Sequence, residues 1–179
     1  MYTLLLVDDE EDVIEVIERK VSWEQIGFHV VGHAGNGFKA LEMMEDMQPD
    51  VVMTDIRMPY MDGLELCSNI RQRFPATKLL LFTGFDDFEY AKEAVHLEIE
   101  EYILKPLNLA EITEVFKKLK TKLDEERNEK KNTDILKQYY AASLPVLQSN
   151  FYTTLIEGRI PENELGRYMR DYKIVLEGP

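Results

Sequence analysis

Asp50-Val-Val-Met-Thr-Asp-Ile-Arg-Met-Pro-Tyr-Met-Asp-Gly63 packs a strand, a turn and the start of a helix into one short segment. Val51, Val52 and Met53 form an apolar run bounded by Pro49 and Pro59. Such a run predicts a strand covered on both faces, as in a parallel sheet. It ends on a carboxylate, Asp55. In open α/β sheets the ligand crevice lies outside the carboxyl ends of the strands, so an acid at this position is a candidate for chemistry. Pro59 lacks an N–H and fixes φ, which stops the strand from continuing. Asp62, three residues before Glu65, predicts the N-cap of the following helix.

The same grammar repeats on both sides. Tyr2 to Val7 is apolar and runs into Asp8-Asp9-Glu10-Glu11-Asp12, after which Val13, Ile14, Val16 and Ile17 recur at helical spacing. Near Ser22 that helix gives way, and Trp23, Ile26 and Phe28 lead into a second strand through His29-Val30-Val31-Gly32. Asn36 predicts the cap of a helix whose buried stripe is Phe38, Leu41, Met44 and Met47. After the Asp50–Gly63 segment, Leu64, Leu66, Cys67, Ile70 and Phe74 carry a third helix up to Pro75. Lys78 to Thr83 is a fourth strand, and it too ends on a polar group. Asp86 with Glu89 opens a fourth helix through Ala91, Ala94 and Val95; Glu101 to Leu104 is a fifth strand ending at Lys105-Pro106; Asn108 with Glu111 opens a fifth helix. Five alternating pairs predict an α/β fold, a doubly wound five-stranded parallel sheet of the flavodoxin-like kind with right-handed crossovers.

Past this sheet the character changes. Ile112, Phe116, Leu119 and Leu123 keep an apolar stripe, but Asp124 to Asp134 is almost wholly charged or polar, as in a helix leaving its domain. Two amphipathic helices, Ile135 to Leu144 and Val146 to Ile156, follow. Gly158 is placed to cap the second, and Pro161 to start another through Leu165, Tyr168 and Met169. The expected division is 1–123 for the sheet domain and 124–179 for a helical extension. Leu119 and Leu123 with the following helices are expected to form the seam of a homodimer. The end at Leu176-Glu177-Gly178-Pro179, soon after the last helix, is read as a cut ahead of a further domain.

With 179 residues and 45% apolar content the chain can bury a sizeable core. Lys+Arg 21 against Asp+Glu 34 gives a net charge of -13, which repels nucleic acid and anionic membrane, so any DNA-binding role must lie outside these residues. No segment approaches the roughly 18 apolar residues of a membrane span, and the expected location is cytoplasmic. Cys67, on a helical apolar face, reads as a reduced core thiol. His29, His33 and His96 lack the spacing of a metal site.

The chemistry lies at the strand ends. Asp8 and Asp9 follow the first strand, Asp55 ends the third, Thr83 the fourth and Lys105 the fifth, so all five are expected in one crevice. Three carboxylates that close repel one another unless a cation sits among them, and hard oxygen ligands with an open edge suit Mg2+. Mg2+ is commonly shared between carboxylates and a substrate phosphate, and a carboxylate can attack phosphorus to give an aspartyl phosphate. Lys105 and the Thr83 hydroxyl are then the partners for the phosphoryl oxygens. Glu10, Glu11 and Asp12 read as complements to a helix dipole. Met58 and Met61, beside Tyr60, are expected to shape the crevice rim.

Val-Asp-Asp-Glu at 7–10, Asp-Ile-Arg-Met-Pro-Tyr-Met-Asp-Gly at 55–63, Thr-Gly-Phe-Asp-Asp-Phe-Glu-Tyr-Ala at 83–91 and Tyr-Ile-Leu-Lys-Pro-Leu at 102–107 together resemble the receiver domain of two-component response regulators. The resemblance covers residues 1 to about 123. It implies that Asp55 accepts a phosphoryl group from a sensor histidine kinase, that Asp8, Asp9, Asp55 and the backbone carbonyl of Arg57 surround Mg2+, and that Thr83 and Tyr102 act as switch residues while Lys105 contacts the phosphoryl group. A cis Lys105-Pro106 bond is also implied. Trp23-Glu-Gln-Ile-Gly-Phe28 and Gly84-Phe-Asp-Asp-Phe-Glu-Tyr-Ala-Lys92 resemble the YesN group more narrowly, in which an AraC-type DNA-binding domain follows; that output domain is absent here, so DNA is a partner only through it. The rival readings are a Mg2+-dependent phosphohydrolase using an aspartyl phosphate, which would need an acid/base carboxylate where Arg57 stands, and an unphosphorylated scaffold.

Overall fold

A computed structural model describes residues 1–84, 94–106 and 108–175. The elements in order are β1 (Tyr2–Val7), α1 (Glu11–Lys20), a 3-10 turn (Trp23–Ile26), β2 (Phe28–Ala34), α2 (Gly37–Met47), β3 (Val51–Thr54), α3 (Gly63–Arg73), β4 (Lys78–Thr83), β5 (Glu101–Leu104), α4 (Leu109–Ile156) and α5 (Glu162–Asp171). The strands pair in the order β2-β1-β3-β4-β5, every pair parallel, as the alternation predicts. The predicted helix opened by Asp86 and Glu89 lies outside the described residues. The chain divides into two compact units, Met1–Leu123 and Asp124–Pro179.

Alternation along the strands supplies two cores, one on each face of the sheet. Leu4 and Leu6 point to the side of α1 and the first turns of α4, where Ile14, Ile17, Phe28, Ile112 and Phe116 are buried. Leu5 and Val7 point to the side of α2 and α3, with Met44, Leu66, Cys67 and Ile70. Each fully buried side chain of this size stabilises the fold by about 1.5–3 kcal/mol. Trp23 and Phe28 meet the Phe116 ring edge-on, with centroids 4.7 and 5.0 Å away, so the 3-10 turn and β2 are tied to α4 by aromatic contacts. Burial pushes the Cys67 thiol up to about 12, as fits an inert core cysteine. The predicted caps form: the Asn36 side chain accepts from Lys39 N–H at 3.0 Å and that of Asp62 from Glu65 N–H at 2.8 Å.

Four expectations change. The buried face of α2 is Gly37, Ala40 and Met44, whereas Phe38 and Met47 are exposed; a Cβ on Gly37 would meet Met61 at 2.6 Å, so the small residues face the sheet because Met61 fills the space beside them. Met58 and Met61 are accordingly buried in the core rather than placed on a rim. Leu119 and Leu123 are 5% and 8% exposed within the first unit's core, so they cannot form the seam of a dimer. Pro145 does not separate two helices. It lies inside α4, where it lacks the N–H that would otherwise bond the Ala141 carbonyl one turn earlier.

In the second unit Phe151 is buried against the rings of Tyr168 and Tyr172 of the segment that α5 carries. Gln148 Nε2 donates to the Tyr172 carbonyl at 2.9 Å, and the Tyr140 hydroxyl donates to the carbonyl of Asp171. Gly158, at φ 68°, ends α4 as predicted: its N–H bonds to Leu155 O and that of Arg159 to Thr154 O, the paired bonds of a Schellman motif.

Candidate functional site

The parallel ladders bring the acidic ends of β1 and β3 side by side. Asp8 N–H donates to Ala34 O at 3.0 Å and Asp55 N–H to Val7 O at 2.8 Å, extending both ladders by one residue past the strands. Each carboxylate is then held at both oxygens. Asp8 Oδ1 accepts from Glu10 N–H at 2.8 Å and Asp55 Oδ1 from Ile56 N–H at 2.7 Å. The remaining oxygens, Asp8 Oδ2 and Asp55 Oδ2, both accept from Lys105 Nζ, at 3.0 and 3.1 Å. Asp9, exposed at the edge, offers a third carboxylate, and one oxygen from each of the three lies within 4.8 Å of the others.

Lys105 reaches in from the end of β5. Its N–H donates to Thr83 O at 2.7 Å, and its ammonium lies 5.1 Å from the centroid of the Phe82 ring. The Glu10 carboxylate is 3.6 Å away, a weaker pairing at the exposed side. Lys105-Pro106 is cis, as the resemblance implies. Burial works against the Lys105 ammonium, but the hydrogen bonds and charges of Asp8 and Asp55 outweigh it and raise its pKa above the ordinary value. Asp8 is lifted above the usual carboxylate range, chiefly by burial, with the Asp55 charge adding to it and the Glu10 N–H and Lys105 partly offsetting it. Two buried carboxylates, one exposed carboxylate and a single ammonium leave excess negative charge, and this donor set of oxygens alone suits a hard divalent ion.

Asp8, Asp9, Asp55 and Lys105 are thus together. Thr83 ends β4 fully buried, paired in register with Leu104. Tyr102 is half-buried in β5, paired with Leu81 and packed against the α2–α3 side of the core. Arg57 lies two residues past Asp55 with its side chain exposed. His29, His33 and His96 are exposed and away from the carboxylates.

Two supporting residues are not evident from the sequence reading. A Cβ on Gly63 would stand 2.0 Å from Asp55 O, while the Gly63 N–H donates to Ile56 O at 2.8 Å, so the loop after β3 closes back on the Asp55 backbone only because residue 63 has no side chain. Thr54 Oγ1 donates to that same Asp55 carbonyl at 2.9 Å. The signal for Gly63 was its place directly after a helix-capping aspartate, where a glycine is otherwise a poor helix start.

The model of the response regulator receiver domain matches residues 4–117. The chain belongs to this family. Over 137 residues, 76% of this chain, the receiver is 37% identical to the transcriptional regulatory protein YesN of Bacillus subtilis (strain 168). Over 166 residues it is 30% identical to a response regulatory protein of Staphylococcus epidermidis. Among solved structures it is similar to the REC domain of AraT, a response regulator from Geobacillus stearothermophilus, with 36% identity, a TM-score of 0.67, and coverage of 70% of this chain and 98% of that one. The matches span 37% of the YesN protein and 64% of the staphylococcal one, so the receiver chain accounts for less than two thirds of either relative. Among the described residues, no helix is long and apolar enough to cross a membrane.

Proposed function

We propose that Asp55 accepts a phosphoryl group from the phosphohistidine of a sensor histidine kinase, and that this charge change switches the receiver's conformation. The supporting observation is the Lys105 ammonium bridging Asp8 and Asp55 at 3.0 and 3.1 Å, at the carboxyl end of the sheet. Asp55 Oδ2 is the attacking atom: its O–P bond forms as the P–N bond to the donor imidazole breaks, and the imidazole keeps the electron pair. Asp55 Oδ1, tied to Ile56 N–H, holds the carboxylate in plane for that attack. Lys105 moves its hydrogen bond from Asp55 Oδ2 to the incoming phosphoryl oxygens, and its raised pKa keeps it charged throughout. Asp8, Asp9, Asp55 and the Arg57 carbonyl would hold Mg2+, which supplies charge neutralisation at the phosphoryl oxygens.

Thr83 and Tyr102 are the switch pair. Thr83 lies on β4, between the strand that carries Asp55 and the strand that carries Tyr102, so a hydroxyl drawn toward new phosphoryl oxygens vacates space that an adjacent aromatic can take. The product acts as a cytoplasmic homodimer that controls transcription through an output domain beyond these residues; the transcriptional role is supported by the description of YesN as a transcriptional regulatory protein. Residues 1–123 form the receiver and 124–179 the helical extension.

Intact mass after incubation with a small phosphodonor and Mg2+ tests this. The parent gains one phosphoryl group and Asp55→Asn gains none; an unchanged parent mass overturns the reading. Sustained release of phosphate over many turnovers would instead indicate a phosphohydrolase, a chemistry for which Arg57 offers no proton-transfer group.

A further inference from the structure

We infer that the second half of α4 is a dimerisation helix, and that the face covering it is the same face of a second copy in parallel register. The inference rests on the homodimer reading above and assigns its surface. From Ile135 to Ile156 the helix carries one charged side chain, Lys137, although the preceding Asp124–Asp134 turns are mostly charged. Two apolar faces are present. Phe151 is buried against the α5 segment, and Leu144 and Leu147, on the same face of the helix, are partly buried. On the opposite side Ile135, Tyr139, Ala142, Val146, Thr153 and Ile156 recur at steps of four, three, four, seven and three, a heptad pattern with polar Ser149 at the position between Val146 and Thr153, and all of them are exposed. Tyr139, Val146 and Ile156 are 70%, 62% and 86% exposed.

Charge and period identify the occupant. The chain carries a net charge of -13, which repels an anionic membrane or nucleic acid, and the strip itself holds almost no charge to oppose a second copy. A 3.5-residue repeat stays in contact only with another helix wound to the same repeat, and this helix supplies one in each copy. Asn132 falls one heptad before Tyr139, on the same seam position. A lone asparagine there pairs with its own counterpart when the helices run parallel and in register, which selects that arrangement over antiparallel or shifted ones.

Sedimentation equilibrium on the full chain at tens of micromolar is expected to give a mass close to twice 20.9 kDa. Tyr139→Glu with Val146→Glu is expected to weaken association at least tenfold while circular dichroism and phosphoryl acceptance at Asp55 stay unchanged. Under mild oxidation Ala142→Cys, on the seam, yields a disulfide-linked dimer, and exposed Ala141→Cys, off the seam, does not; buried Cys67 does not interfere. A dimer that survives the double substitution and is not linked through position 142 overturns this surface and leaves the homodimer reading intact. A parent that remains a monomer with and without phosphodonor overturns both, and acceptance of phosphate by Asp55 is read separately by mass.

Discussion

Burial and ion pairing set the pH dependence that Lys105 and Asp8 lend to the fold. The folded pKa of Lys105 lies above 10.5, so the stability it contributes is fully present below pH 10.5 and is lost as pH rises through the folded value. The folded pKa of Asp8 lies above 3.8, so its charged form is the disfavoured one: its contribution is fully present below pH 3.8 and is lost as pH rises through the folded value. At pH 7 the Asp8 charge therefore burdens the fold. Asp8→Asn removes that charge while its one amide oxygen can accept from only one of Glu10 N–H and Lys105, and it is expected to stabilise the chelator-treated protein at pH 7, with the gain shrinking in mildly acid buffer, as read by urea denaturation. Gly63→Ala acts in the opposite sense. Its Cβ meets the Asp55 carbonyl backbone at 2.0 Å, not a side chain that could move aside, so a loss of more than about 3 kcal/mol is expected, together with failure to accept phosphate in the fraction that folds.

Among the elements, α4 has the most demanding position, because its first turns close one face of the sheet. Phe116 joins it to both the 3-10 turn and β2 through two edge-on ring contacts and is fully buried. Phe116→Ala is expected to cost about 3–5 kcal/mol of unfolding free energy, read by chemical denaturation. Phe38→Ala on α2 provides the contrast. Both residues are phenylalanines on apolar-looking helical stripes, but Phe38 is 55% exposed, and its truncation is expected to change stability by less than about 0.5 kcal/mol. Equal losses for the two would contradict the orientation of α2.

For the molecule as a whole, the excess negative charge at the sheet's carboxyl end would couple folding to any divalent ion bound there. Anything that binds the native state alone stabilises it by mass action, about 2.7 kcal/mol at a hundredfold excess over its dissociation constant. Mg2+ is therefore expected to raise the melting temperature by several degrees in a calorimetric scan, and EDTA to reverse it. Asp9 is exposed and offers one of the three oxygens, so Asp9→Asn is expected to remove most of that rise while leaving the metal-free melting temperature nearly unchanged. A full Mg2+ response in the variant would place the ion elsewhere.

The sequence by itself determined the order of the strands along the chain and the polar groups that stand at their ends. Apolar runs such as Val51–Met53, caps such as Asn36 and Asp62, and the acids after β1 and β3 are local signals that any parallel α/β arrangement reads the same way. Only the tertiary structure decided which side of a helix faces inward and what fills the space beside it. Phe38 lost its predicted place to Gly37 because Met61, brought over from another loop, occupies the volume; Leu119 and Leu123 were taken into the sheet's core. The bridge from Lys105 to Asp8 and Asp55 is of the same kind: periodicity carries information only along one segment, whereas burial and ion pairing depend on segments that meet across the fold.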